Sequence, residues 1–223
     1  MTAENGQKVY DRVKTQTRRL TGLDYPNSAP DEFVLQQQVG DKFFFARKDT
    51  NVGGVVTCPY RVGERRYIRE PHYLYGRWKR GGQTKTGKVK YRFVADRTKG
   101  ACYPNNPPPR VCTRKSVVGW FRRPGMFMFE WAARSIVEIV EVRIQRVQEI
   151  SEEDAIAEGI ERIGGSFSCT PWKNYRIGQP GEMSMHCSAP ARSFMTLWES
   201  IHGPGAWGRN DWVAAVTMRR VTF

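Results

Sequence analysis

Residues Ile136–Ile160, which read IVEIVEVRIQRVQEISEEDAIAEGI, carry the clearest secondary-structure signals in this chain. Apolar and charged residues alternate in the first half of this stretch, which predicts a long strand with a charged outer face. Ser151 and Asp154, three residues apart, resemble the capping box that begins a helix. Acidic residues in a first helical turn are favoured by the helix dipole, and Gly159 stands where the helix can end. The stretch therefore predicts a strand followed by a helix at SEEDAIAEGI.

The same signals extend the prediction in both directions. Helical structure is predicted in KVYDRV (residues 8–13), as one turn at Glu130–Arg134 and as an amphipathic helix at Ser193–Ile201. Strands bounded by turn residues are predicted at Phe33–Gln38, Lys42–Arg47, Arg66–Glu70, Tyr91–Asp96 and Asn210–Phe223.

Three segments rich in Gly, Pro or Ser are predicted to be loop insertions, at residues 76–90, 98–116 and 163–190. Short strands, flanking helices and long insertions predict an α+β fold in which a small mixed β-barrel carries helices on its side. The length of 223 residues fits one domain covering residues 1–223.

The charge balance favours a polyanionic partner. The chain has 36 Lys and Arg against 22 Asp and Glu, a formal charge of +14, and its pI is about 9.9. Basic groups displace counterions from phosphates, so nucleic acid or a nucleotide is the expected partner. The alternative is a basic protein whose charge serves only solubility, because charge alone carries no chemical specificity.

The cysteines and the hydropathy pattern predict a cytoplasmic protein without a membrane span. The five cysteines form no CxxC pair, so neither a disulfide framework nor a zinc site is expected. A site built from Cys169, His186 and Cys187, or from Cys102 and Cys112, is the weaker alternative. No apolar run opens the chain or reaches the length of a transmembrane helix.

Four blocks of the sequence together resemble the ASCH family of the PUA-like superfamily, particularly its phage-encoded branch. These blocks are KTQTRR at Lys14–Arg19, GERRYIREPHY at Gly63–Tyr73, the stretch Met128–Ile160, and Phe194–Val221. They occur in the order found in the family. The resemblance implies a PUA-like β-barrel with a cleft for nucleic acid or a nucleoside, no cofactor, and, for a phage-encoded member, a location in the bacterial host cytoplasm.

The resemblance also implies candidate site residues. Small bacterial ASCH proteins hydrolyse the amide of N4-acetylcytidine without a metal, and their active residues correspond here to Lys14, Thr17 and Glu158. Other members are RNA-binding or ribonuclease-like, which makes RNA a more expected partner than DNA. This chain departs from the family pattern before Lys14, where the residues are polar, and at Tyr67, Pro71 and Glu130.

Two functions for KTQTRR remain open. As a catalytic segment, a desolvated Lys14 takes the proton of Thr17, Arg18 and Arg19 lower the pKa of that lysine, and Glu158 passes a proton to the leaving amine. As a binding segment, Lys14, Arg18 and Arg19 form an exposed basic turn that contacts phosphates. Glu158 would then be an ordinary solvated carboxylate.

Further binding residues are predicted within the second and third blocks and in the segment that joins them. Arg69, Glu70, Tyr73 and Trp131 are candidate walls of the ligand cleft, although Arg69 and Glu70 could instead form a structural ion pair, which contributes little to stability if it is exposed. Tyr73, Tyr75 and Trp78 lie among basic residues, a mixture that suits base stacking beside phosphate contacts. Their alternative is a surface loop. A third functional hypothesis is an interaction protein whose handle is the Pro-rich arm at Asn105–Arg110.

Overall fold

The computed structural model describes residues 3–163, 171–176 and 186–221. Contacts between residues group the chain into two compact units. Unit 1 consists of residues 1–10 and 67–136, and unit 2 consists of residues 11–66 and 137–223. A single domain over residues 1–223 stays a prediction.

Strands dominate both units. The α-helices are α1 (Ala3–Tyr10), α2 (Asp24–Asn27), α3 (Glu152–Ala157) and α4 (Pro190–His202). The strands are β1 (Gln16–Arg19), β2 (Phe33–Val39), β3 (Lys42–Arg47), β4 (Gly53–Thr57), β5 (Arg65–Tyr67), β6 (His72–Gln83), β7 (Val89–Ala95), β8 (Ala101–Cys102), β9 (Gly119–Arg123), β10 (Ile136–Arg146), β11 (Trp172–Lys173), β12 (His186–Cys187) and β13 (Trp212–Val221).

Unit 2 packs around strand β13. One sheet has the order β1-β13-β10-β5, and β2-β3-β4 form another. Alternate residues of β13 face opposite ways, because side chains in a strand have a period of two. Val216 lies in a core cluster with Phe43 and Phe45, whereas Val213 lies in a second cluster with Ala155 of α3 and Trp198 of α4. The β1–β13 pair therefore separates a sheet core from a helix-covered core.

Unit 1 contains an antiparallel sheet of order β7-β6-β8, and β9 pairs with the other edge of β6. Strand β6 has an inner face that includes Leu74, fully buried opposite Phe121 of β9. The register places the alternate residues on the other face, which we call the outer face. Its members are Tyr73, Tyr75, Arg77 and Lys79 of β6, Trp120 and Arg122 of β9, and Arg92 of β7.

The α+β class predicted from the sequence is confirmed, and so is most of the order of strands and helices. Over the described ranges the strands form separate sheets and no closed barrel. Ser151 caps α3 by accepting a hydrogen bond from the Asp154 N–H, and Gly159 follows the helix with a positive φ of 80°. Each of these features matches the capping signals in the sequence.

Three local predictions were wrong. Residues 76–90 are mostly strand, since β6 and β7 form a hairpin there and not a loop insertion. KTQTRR is a strand from Gln16 onward and not a turn, because it pairs with β13. The predicted strand at Arg66–Glu70 ends at Tyr67. Part of the predicted insertion 163–190 lies outside the described residues, as does Cys169.

Candidate functional site

A buried ion pair joins two of the predicted catalytic residues. The Lys14 Nζ donates to Glu158 Oε2 at 2.5 Å and to the main-chain oxygen of Glu158 at 2.7 Å. Lys14 is 6% exposed and Glu158 is 4% exposed. Lys14 is therefore not the exposed phosphate-contacting cation of the binding hypothesis, and Glu158 is not the solvated carboxylate that the same hypothesis predicted.

Arg18 extends this ion pair into a network. Its guanidinium contacts Glu158 Oε1 at 3.3 Å and Asp154 Oδ2 at 2.8 Å, and its side chain is fully buried. Gln16 accepts a hydrogen bond from Arg18 at 2.7 Å and donates one to Asp154 Oδ1 at 3.0 Å. Arg143 of β10 also belongs to the network, with its Nη2 atom 2.9 Å from Asp154 Oδ2. Two carboxylates are thus held by three cations and an amide.

The local sequence explains why these groups converge. Asp154 and Glu158 are four residues apart, a spacing that puts both on one side of a helix. Gln16 and Arg18 share one face of β1, and Arg18 lies opposite Ala215 of β13 in the antiparallel pairing. The small Ala215 side chain leaves that face open to α3. Helical and strand periodicities therefore bring alternate β1 residues to the acidic side of α3.

The network lowers the pKa of Asp154. Burial alone raises this pKa, but the hydrogen bonds from Gln16 and Arg18 and the positive charges of Arg18 and Arg143 outweigh it. The folded carboxyl then ionises at a lower pH than the unfolded one. Its contribution to stability is present above the unfolded pKa, near 3.8, and is lost as the pH falls through the lower folded value.

We expect Asp154→Asn to remove part of the acid sensitivity of folding. At neutral pH the substitution should cost about 1–3 kcal/mol, because charged hydrogen bonds are lost in a half-buried position. Urea unfolding of the wild type and Asp154→Asn between neutral and acid pH measures both effects. The stability difference between the two proteins should shrink as the pH falls through the lowered pKa of Asp154. A difference independent of pH would contradict this account.

Thr17 lies on the opposite face of β1. It pairs with Val216, which belongs to the sheet core, and its side chain is half-buried. Within the described part of the chain, no hydrogen bond joins Thr17 to Lys14 or Glu158. The structure thus brings together Lys14 and Glu158, and Arg18 with them, but not Thr17. Arg19 is exposed, and of the three cations in KTQTRR it alone is placed to contact a phosphate as the binding hypothesis predicted.

Glu70 is the clearest correction among the predicted binding residues. Its side chain is fully buried and accepts two hydrogen bonds from Arg134, each of 2.8 Å. A buried carboxylate needs such a partner, so Glu70 belongs to the core of unit 1 and not to a ligand wall. Its ion-pair partner is Arg134, not the neighbouring Arg69. The nearby Tyr103 hydroxyl donates to the Ala132 carbonyl, and burial, with the Glu70 charge, raises the pKa of Tyr103 to about 12.

The other predicted residues of unit 1 are accessible. Arg69 is exposed, with its guanidinium over the Tyr67 ring at 5.2 Å. Trp131 is half-buried and stacks on Phe129 at 5.9 Å between ring centroids. Tyr73 is half-buried on the outer face. Their cleft-lining roles remain predictions.

The positive charge of the chain is concentrated in unit 1. The overall composition gives only the total charge and does not reveal this distribution. Residues 67–136 contain sixteen Lys and Arg but three Asp and Glu, an excess of thirteen charges out of the +14 of the whole chain. Fourteen of the sixteen cations are exposed. Unit 2 is nearly neutral, with nineteen Lys and Arg against eighteen Asp and Glu. Counting charge segment by segment would have revealed this asymmetry from the sequence.

Two other kinds of feature are absent from the described ranges. No group of three or more His, Cys, Asp or Glu there is placed to hold a metal ion. No described helix has both the length and the apolar character needed to cross a membrane.

Comparisons of the chain with models of protein families, with curated proteins and with solved structures find no match.

Proposed function

We propose that this protein binds nucleic acid through the exposed cations of unit 1. One observation carries the proposal: residues 67–136 contain sixteen Lys and Arg but only three acidic residues. One of those three, Glu70, is buried in an ion pair with Arg134. Cations that neutralise phosphates release condensed counterions, which is the source of nearly all non-specific nucleic-acid affinity. The resemblance to ASCH proteins, with their PUA-like fold, supports the same partner and favours RNA over DNA.

The distribution of charge argues against the simpler explanation of solubility. Charge that only keeps a protein in solution has no reason to be segregated, and a mixed surface serves this purpose well. Here nearly all of the excess lies in one unit, while the other unit balances its charges. A concentrated basic surface is instead the electrostatic footprint of a polyanion-binding protein.

Titration of labelled single-stranded RNA and DNA with the full chain tests this function. At low salt we expect both to bind, RNA more tightly, and the logarithm of the affinity to fall linearly with the logarithm of the salt concentration. Fluorescence anisotropy between about 50 and 200 mM salt measures the slope, which is about −0.7 for each phosphate contacted on a single strand. Failure of every RNA and DNA to bind at about 50 mM salt would refute the proposal.

A second candidate function is favoured by the contact between Lys14 and Glu158. Their 2.5 Å ion pair joins the two charged residues that the ASCH resemblance assigns to hydrolysis of an N4-acylated cytosine. This activity would need the ion pair to open to a substrate. It would also need Thr17, now on the other face of β1, to be replaced as nucleophile by an activated water.

Ultraviolet absorbance distinguishes this candidate from binding alone. If the protein is an amidohydrolase, N4-acetylcytidine should be converted to cytidine, and Lys14→Ala should abolish turnover. Thr17→Ala should then leave turnover largely intact, because the hydroxyl does not contact the ion pair. No turnover of N4-acetylcytidine or other acylated cytosines would eliminate the candidate, and loss of turnover in Thr17→Ala would restore Thr17 as the nucleophile.

A further inference from the structure

The outer face of unit 1 gathers aromatic rings and cations on one surface. Tyr73, Tyr75 and Trp120 share this face with four exposed cations, Arg77, Lys79, Arg92 and Arg122. We propose that this face binds single-stranded nucleic acid and stacks an unpaired base against Tyr75 and Trp120. The inference rests on the proposed nucleic-acid function and adds the class of ligand and its site.

The strand register aligns these residues. Tyr75 lies directly opposite Trp120, and their rings meet edge to face with centroids 5.6 Å apart. Tyr73 lies opposite Arg122 in the same pairing. Since neighbouring strands are about 4.8 Å apart, aromatic and cationic groups on this face are spaced closely enough to contact one nucleotide and its phosphate.

Among the described residues, the cations on this face lack the acidic partners that a purely structural role would provide. Lys79 lies directly opposite Arg92 across the β6–β7 pair, and like charges opposite each other destabilise a sheet. Both side chains are exposed, and neither forms an ion pair with a described residue. A phosphate between them would convert the repulsion into attraction.

A cleft opens beside the two rings. Its volume is about 400 Å³, and it is lined by Tyr75 and Trp120 together with Arg110, Cys112, Val117, Val118 and Gly119. This size falls within the range of small-ligand pockets. Gly119 keeps the segment around Cys112 close to β9, because a Cβ there would lie 2.5 Å from the Cys112 Sγ. The walls are apolar and aromatic, with one cation, as a stacked base next to a phosphate requires.

The geometry favours a single strand over a duplex. Bases within a duplex are stacked on each other, so their faces are closed to protein side chains. Aromatic side chains on an open sheet instead stack bases that are unpaired, largely without regard to sequence. The exposed cations contribute phosphate contacts along the strand.

The first test replaces the two rings. Tyr75→Leu and Trp120→Leu should each weaken binding of a single-stranded oligonucleotide about tenfold at constant salt, the order of effect of stacking one base. The salt dependence should not change, because no cation is removed. Tyr75→Phe should weaken binding less than Tyr75→Leu, since a phenyl ring still stacks. Tyr25→Leu, at an exposed tyrosine of unit 2, is the matched control, and thermal unfolding verifies that each variant is folded.

The second test needs only the wild-type protein. An abasic oligonucleotide of equal length keeps the phosphates and lacks the bases, so it should bind about tenfold more weakly than the same strand with bases. Repeating the comparison with RNA and with DNA strands shows which of the two nucleic acids supplies the unpaired base. Equal binding of abasic and normal strands would overturn base stacking while leaving nucleic-acid binding intact. No binding of either strand would refute the proposed function and this inference together.

Discussion

Replacing Glu158 with glutamine should lower the free energy of unfolding by about 3–5 kcal/mol. Glutamine keeps the shape of the side chain but removes the charge that faces Lys14 at 2.5 Å and Arg18 at 3.3 Å. Lys14 would lose its carboxylate partner while nearly out of contact with water, and Arg18 would keep only its ion pair with Asp154. Removing one partner of a buried ion pair is strongly destabilising. Urea unfolding followed by tryptophan fluorescence measures the loss.

Glu153 provides the control for this prediction. It lies on the same helix and is exposed. Glu153→Gln should change the unfolding free energy by less than about 1 kcal/mol, the range of surface charges near a helix N-terminus. A loss below about 1 kcal/mol for Glu158→Gln would show that water or the remaining partners of the two cations compensate for the lost charge, and the Glu158 ion pairs would then contribute little to stability.

Removing the four cations of the outer face should weaken binding of single-stranded RNA on the order of a hundredfold at about 150 mM salt. The variant replaces Arg77, Lys79, Arg92 and Arg122 with glutamine. Each phosphate contact on a single strand contributes about −0.7 to the slope of log affinity against log salt, so four lost contacts should also flatten that slope markedly. Anisotropy titrations at several salt concentrations measure both quantities.

A variant of equal charge change serves as the control. It replaces four exposed cations of unit 2 with glutamine: Arg12, Lys42, Lys48 and Arg192. If binding depends on the outer face, this control should retain affinity within a few-fold. Equal losses in both variants would mean that net charge alone attracts the nucleic acid, and that the outer face has no special part.

The strand and helix signals of the sequence located most of unit 2 because they are local. Alternation over residues 136–146 predicted β10, and the Ser151 cap predicted α3, which the structure begins at Glu152. The hairpin at residues 76–90 was missed because its glycines resemble a loop. Gly76 is required where β6 and β7 approach, since a Cβ there would clash with the Val94 carbonyl oxygen, and Gly81 and Gly82 coincide with a shift of register.

The candidate sites depended on contacts that sequence patterns do not encode. Lys14 and Glu158 are 144 residues apart, so only the resemblance to a family linked them, and strand alternation then placed Thr17 away from them. The outer face depends on register: the alternation of Tyr73, Tyr75 and Arg77 was visible, but their neighbours Trp120 and Arg122 follow only from the β6–β9 pairing. Glu70 was misassigned because burial and its partner Arg134 come from packing.

Photo-crosslinking can locate the nucleic-acid contacts and so test binding through unit 1. Single-stranded RNA carrying 4-thiouridine is irradiated with the full chain, and the crosslinked peptides are identified by mass spectrometry. We predict crosslinks within residues 67–136, concentrated on β6, β9 and the segment from Arg110 to Val118. Crosslinks confined to unit 2, for example around Lys14–Arg19, would contradict the account and return the site to KTQTRR.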